Sequence, residues 1–525
     1  MKSSFYRGVS AYRIKYFGNA RRHDLIEKWY SITEVIDVVR KGFLISRALG
    51  VIDDFIEKFS RIVPATPLLI VTVLQTIDSS GDGNFTRYSY MYEQLVQRSL
   101  NVISCDDQAM QSVFVAILSN MAYEMLIWKK RYIVSSDLIN VVEDYRRKKL
   151  LNFNPATMIG RLSSSGILVL FDENKYRFRY PYMYYYFAAL YVSRNLTQDY
   201  VKNFVDYMSE HLFVEDYGNI MIFVCHFTNS EYVIDNVLTC ALCALDQFDE
   251  FDFSKPNELL DGFNDIIDQQ MKMLCVGDED DVDTQRKNQL ERMDARGIKD
   301  GSVVNSFDGD INDEPMDIAD IVSAIRVIGV IGQILKNYPG EIDGEKKIDL
   351  ISGISNLAMR VIGVMYLVIG KTRDEFIKFL TEAIREADST SSVSQISYRV
   401  KRMFASLIFG TACGMLHIVS KSIGSSVLLP AIRATKDKYP EDLSFRLICA
   451  DTSMLSFGDN WYKEVLSLGK SLKQNKLEYA YQTMRFLVAG YLRTNHCRFE
   501  QRNALCDTYE LSKNRAFSIL PKNTK

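Results

Sequence analysis

Gly370, Lys371 and Thr372 spell the end of a phosphate-binding loop, whose backbone N–H groups and lysine cradle the phosphates of a nucleotide. That loop needs another glycine five positions before Gly370. Met365 stands there, inside the apolar run RVIGVMYLVIG, so the stretch reads as a helix end capped by glycine. Asp78, Ser80, Asp82, Gly83 and Asn84 copy the first half of a calcium-binding loop. The twelfth position, where a bidentate glutamate closes the shell, is Ser89, so this reads as a polar turn. Cys240 and Cys243, with Cys225 and His226 nearby, have the donor types of a zinc site. They lie in the helical run VLTCALCALDQF, whereas a structural zinc site sets its Cys-x-x-Cys in a turn, so they read as small core thiols. The five histidines form no spaced ligand set, and no serine sits in a G-x-S-x-G elbow. The expectation is no catalytic residue, no metal ligand and no enzyme in this chain acting alone.

Two further clusters offer binding rather than reaction chemistry. Arg146, Arg147, Lys148 and Lys149, with Arg161, Lys175, Arg177 and Arg179, form a local basic surface of the kind that holds DNA phosphates. The same pattern serves as a solvated face, and the formal net charge of −3 gives no global pull toward nucleic acid. The second cluster is aromatic: Tyr176, Phe178, Tyr180, Tyr182, Tyr184, Tyr185, Tyr186, Phe187 and Tyr191 crowd into one stretch. Base stacking is one use of such residues; a dry core with hydroxyls at its rim is the ordinary one.

The elements that must position these residues can be read from residues 154–192. Asn154 caps a short helix that starts at Pro155. Residues 167–171 and 175–180 pair as a hairpin across Asp-Glu-Asn, and an aromatic helix begins near Tyr182. Two helices precede this set, one of them capped by Ser135, Ser136 and Asp137, with a short strand at Ile133 and Val134 before it. That order outlines a winged helix. Upstream, residues 12–17 alternate as a strand before a helix with Leu25, Trp29 and Ile32 on one face, and Pro67 opens the helix LLIVTVLQTI.

The whole length of 525 residues divides into several domains. Residues 1–60 read as a strand plus helices, 61–107 as further helices and 108–195 as the winged helix. Residues 196–277 read as a helical domain with a break near Asp216, and 278–317 as a flexible acidic linker. Residues 318–525 read as an α-solenoid-like array. The fold class is mainly α. Nine scattered cysteines fit reduced thiols, and the N-terminus has no apolar core of a signal peptide. Runs at 361–369 and 403–420 fall short of a spanning helix, so a cytoplasmic protein without a membrane is expected.

Taken together, PLLIVTVLQ, YMYEQLV, AILSNMAYEM, SSDLINVVEDY, MIGRLSSSGILV and YRFRYPYMYYYFAALYV resemble the region after the nucleotide-binding core of bacterial STAND NTPases of the NACHT type. In that family a wing strand leads into the phrase F-x-[HY]-x-x-x-x-[EY]-[YF]-F-x-A. Phe178, Tyr180, Tyr185, Tyr186, Phe187 and Ala189 carry it here, and YRIKYFGNARRHDLIEKWY resembles the last strand and helix of the core. The resemblance covers roughly residues 5–195 and implies that residues 61–107 are a helical lid and that the Walker A and B segments lie upstream or on a separate chain. It further implies that Pro67 matches the lid proline near the adenine, that Arg21 or Arg22 stands where a sensor arginine reaches a phosphate, and that Tyr180 holds the position of a nucleotide-sensing histidine. The chain would bind no cofactor on its own, and ATP only with an NTPase core in trans or upstream. Its partners would be a protein trigger on the helical array, that core, and further copies of itself. A DNA-binding winged-helix regulator is the alternative.

Overall fold

Apolar runs interrupted by short polar turns fold here as helices, and the chain is mainly α with, among the described residues, one small three-stranded sheet. The computed structural model describes residues 17–32, 38–57, 67–79, 93, 95–97, 99–101, 108–228, 230–261, 263, 266–267, 282–297, 316–388, 391–456 and 460–512. Contacts divide the chain into two units, residues 1–85 with 284–302, and residues 86–283 with 303–525.

In the first unit, α1 (Asn19–Ile32), α2 (Val38–Glu57) and α3 (Pro67–Ser79) pack around Ile26, Tyr30, Ile52, Ile70, Leu74 and Ile77. The buried stripe of α1 is Arg22, Ile26 and Tyr30, spaced i, i+4 and i+8. This corrects the expected face of Leu25, Trp29 and Ile32: Ile32 is 82% exposed, and the Trp29 indole N–H instead donates to the Asp78 carboxylate at 2.7 Å. The Tyr30 hydroxyl reaches the same carboxylate at 3.1 Å, so Asp78 of the supposed calcium loop ties α3 to α1. Residues 80, 82–84 and 89 of that loop, and residues 12–16 of the expected strand, lie outside the described residues; Phe17 is not in a strand.

The second unit begins with α4 (Gln108–Ile127), β1 (Ile133–Val134), α5 (Ser135–Lys148), α6 (Pro155–Ser164), β2 (Leu168–Asp172), β3 (Lys175–Phe178) and α7 (Pro181–Arg194). It continues through α8 (Asp199–Glu210), α9 (Glu215–Phe227) and α10 (Glu231–Cys243). The strands order β1-β3-β2, all antiparallel, with Ile133 facing Tyr176 and Leu168 facing Phe178. Asn154 caps α6, accepting from the Thr157 amide at 3.1 Å. Ser135 does not cap α5; it is the first helical residue, and its hydroxyl donates to the Asn174 carbonyl at 3.0 Å, joining the helix to the hairpin turn. Asp216, expected in a break, lies in the first turn of α9, where a carboxylate complements the helix dipole.

Helix α11 (Val282–Gly297) falls inside the segment expected to be a flexible linker. Its sequence has few apolar residues, which is why it reads as unstructured; its first turn is held by the buried Val282 and by Asp283 on His496 at 2.8 Å, and the rest bonds within the first unit. Arg286 donates to the Ser46 hydroxyl at 2.8 Å, and Asp294 accepts from the start of α1. The remaining residues of 278–317 that precede Met316 are outside the described residues.

The C-terminal array comprises α12 (Met316–Asn337), α13 (Gly344–Lys371), α14 (Arg373–Ala387), α15 (Val393–Ile423), α16 (Leu429–Lys438), α17 (Leu443–Ser456), α18 (Trp461–Gln474), α19 (Glu478–Thr494) and α20 (Phe499–Thr508). The long α15 is its hub, packing against α12, α13, α14, α17 and α19. A Cβ on Gly332 of α12 would lie 2.6 Å from the Ser422 carbonyl of α15, so glycine is what lets these two backbones meet. Gly370 and Lys371 form the last turn of α13, with Thr372 after it. Among the described residues, three stretches could cross a membrane by length and composition: residues 110–127 of α4, α13 and α15. About half of each one's most apolar window is buried against the protein.

Candidate functional site

Helix α7 is apolar on every side because it is enclosed on every side. Residues 182–190 are all buried, and α7 packs chiefly against α4 and α9. Pro181 presets its first turn, and Tyr180 precedes it in extended conformation. Tyr123 of α4 stacks on Tyr191 with ring centroids 4.1 Å apart, and Tyr186 meets Phe227 of α9 edge to face at 5.0 Å.

Within this aromatic packing lies one charged pair. Asp216 is fully buried, and its carboxylate accepts from the Arg131 guanidinium and, at 2.8 Å, from the Tyr185 hydroxyl. Arg131 also donates to the Tyr185 oxygen at 2.9 Å and lies 5.8 Å from that ring's centre. Three elements thus converge: the turn before β1, the middle of α7 and the start of α9. Burial lifts the Asp216 carboxyl above the usual carboxylate range, while Arg131 and Tyr185 pull it back. Burial likewise pushes the Tyr185 phenol well up, with Asp216 adding to the rise. Tyr184 beside it is buried, and its hydroxyl has no hydrogen-bond partner among the described residues. Such a triad can hold two packed parts of a chain in one register, because separating them strands a charge.

The residues singled out in the sequence fall in three places. Arg21 is exposed and Arg22 buried on α1, and Pro67 is the exposed first residue of α3; all belong to the first unit. Tyr180 belongs to the second, stacked on Tyr182 at 5.7 Å. Of the basic residues, Arg147, Lys148 and Lys149 are exposed at the C-terminus of α5, Arg146 is half-buried there, and Arg147 pairs with Asp144 at 2.8 Å. The others sit over rings of their own unit: Arg161 over Phe114 at 5.3 Å, Lys175 over Tyr132 at 5.2 Å, Arg177 over Phe171 at 4.8 Å and Arg179 over Tyr180 at 5.7 Å. Cys240 and Cys243 line a cavity of about 750 Å³ with Asp206, Glu210 and Asp320, between α8, α10 and α12. Burial, with Cys243 and Glu210 adding, pushes the Cys240 thiol up to about 11, which keeps it protonated.

Sequence reading missed the Arg131–Asp216 pair. Arg131 stands in a run of cations beside Lys129 and Lys130, and nothing local marks it as the one that turns inward. No curated protein and no solved structure matches the chain. Residues 131–188, from Arg131 through most of α7, match the model of a family described as Novel STAND NTPase 4, which supports a STAND NTPase-related protein.

Proposed function

We propose that this chain is a non-catalytic regulatory part of a STAND-type, NACHT-like nucleotide switch in the cytoplasm, serving bacterial signalling such as defence against phage. Residues 108–195 are its winged helix, and the helices after residue 196 receive a protein trigger. The observation that carries this reading is the buried triad. Arg131 and Tyr185 lie inside the family-matched segment, while Asp216 lies beyond it in the helices that follow. A trigger that shifts α9 must therefore change the bonds of the matched segment, and a switch works through such differential contacts between two states. ATP is the ligand of an NTPase core supplied upstream or in trans. In the first unit Pro67, Arg21 and Arg22 are proposed to face it; in the second, and separately, Tyr180 is proposed as a nucleotide-sensing position.

The test is direct. The purified chain should hydrolyse no ATP by itself, and a G-x-x-x-x-G-K-[ST] loop should be encoded in frame upstream or in an adjacent gene. Turnover by the isolated chain would end the non-catalytic reading. A second reading, DNA binding, draws on the exposed Arg147, Lys148 and Lys149. It predicts affinity for duplex DNA that falls steeply with salt, and no retention at low ionic strength would sink it.

A further inference from the structure

The start of α1 is closed by a residue 275 positions away. Every helix begins with backbone N–H groups that lack a partner in the helix, and a nearby side-chain oxygen normally satisfies one of them. In α1 the Asp294 carboxylate of α11 takes that role. It accepts from the Asn19 amide at 2.6 Å, the Ala20 amide at 3.0 Å and the Asn19 side chain at 2.9 Å. The seat is shaped for this approach: a Cβ on Gly18 would lie 2.6 Å from one Asp294 carboxylate oxygen.

Beyond its first turn, α11 covers little apolar surface. Most of the helix faces solvent, including Lys287, Glu291, Arg292 and the 40%-exposed Met293, while Leu290 is only half covered. Among its bonds are Arg286 to Ser46 and Asp294 to α1, both polar, while its first turn is tethered by the buried Val282 and by Asp283, which meets His496 at 2.8 Å. An element held by few apolar contacts opens more easily than the core it lies on. We propose that α11 is a detachable strap whose Asp294 acts as an internal cap, so that α11 and the first turn of α1 open and close as one event. Arg21 and Arg22 occupy that turn, so the strap controls whether their backbone is ordered. The strap needs no nucleotide, and its test is independent of the reading given above.

Hydrogen exchange of the full chain tests it. Asp294→Ala should speed exchange at least tenfold both in residues 19–23 and along residues 284–297, with α13 unchanged as the internal reference. Gly18→Ala attacks the contact from the other side with Asp294 intact, and it should give the same paired pattern. Trypsin should then cut after Lys287 or Arg292 faster in both variants. Faster exchange confined to residues 19–23 would make Asp294 a local cap and overturn the strap. Unchanged exchange in both segments, or an equal rise in α13 that signals general unfolding, would overturn it too.

Discussion

Arg131 and Asp216 are 85 residues apart in sequence and form an ion pair whose carboxylate is fully buried, with the Tyr185 hydroxyl bonded to both. Removing one partner strands the other charge, which in a fully buried pair costs about 3–5 kcal/mol. Arg131→Met strands Asp216, which is fully buried, and should cost about 3–5 kcal/mol in urea unfolding. Replacing both, as Arg131→Met with Asp216→Leu, should lose less than the single change. An equal or larger loss in the double variant would mean that the pair stabilises beyond its own desolvation.

Tyr185→Phe removes one donor from Asp216 and leaves the ring in place. About 1 kcal/mol should go, read as a lower urea midpoint with an unchanged slope.

In the array, the Tyr366 hydroxyl donates to the Ile408 carbonyl at 2.8 Å and meets the Tyr479 hydroxyl at 2.5 Å. The Tyr479 ring packs between Phe253 and Phe409. Tyr366→Phe should cost about 1–2 kcal/mol, and Tyr479→Ala about 3–5 kcal/mol because it also opens a cavity. Similar losses for the two would show that the ring packing contributes little.

His417 of α15 lies 3.3 Å from the buried Asp451 carboxylate of α17. Burial pulls its pKa down, but the hydrogen bond and charge of Asp451 outweigh burial and Lys421, so it rises above the ordinary 6.5. A raised folded-state pKa means the protonated pair stabilises fully below the unfolded value. That contribution fades as pH climbs through the folded one. Asp451→Asn should lower the His417 midpoint in an NMR titration. The gap in Tm between wild type and variant should narrow from about pH 6.5 upward. A gap that widened with pH would contradict the assigned sign.

Gly332→Ala drives a methyl into the Ser422 backbone, which no rotamer change can relieve. It should cost about 1–3 kcal/mol. Gly329, one turn earlier on α12, has open space at the same position. Gly329→Ala should be neutral or mildly stabilising through helix propensity, which makes it the matched control.

What could be read from the sequence was what short-range chemistry decides. Asn154 and Pro155 start α6, Asp-Glu-Asn turns the hairpin and Pro181 starts α7, and each signal acts within a few residues of its effect. What escaped depends on distant partners. Helix α11 carries too little apolar surface to announce itself, since its anchors lie on α1 and α2. Arg131 looks like any surface cation until α9 folds over it. On α1 the expected face of Leu25, Trp29 and Ile32 gave way to one with Ile26 and Tyr30, and Trp29 bonds Asp78 of α3, a partner 49 residues away.

The cap on α1 also orders events in time. A ribosome adds about 5–20 residues per second, so residue 294 emerges roughly 14–55 s after residue 19. Through that interval the first turn of α1 has no Asp294 to accept its amides, although α2 and α3 are already made. The opening turn of α1 is therefore finished late, after all of α4 to α10 has been synthesised, and a chain that stalls before residue 294 leaves that turn frayed.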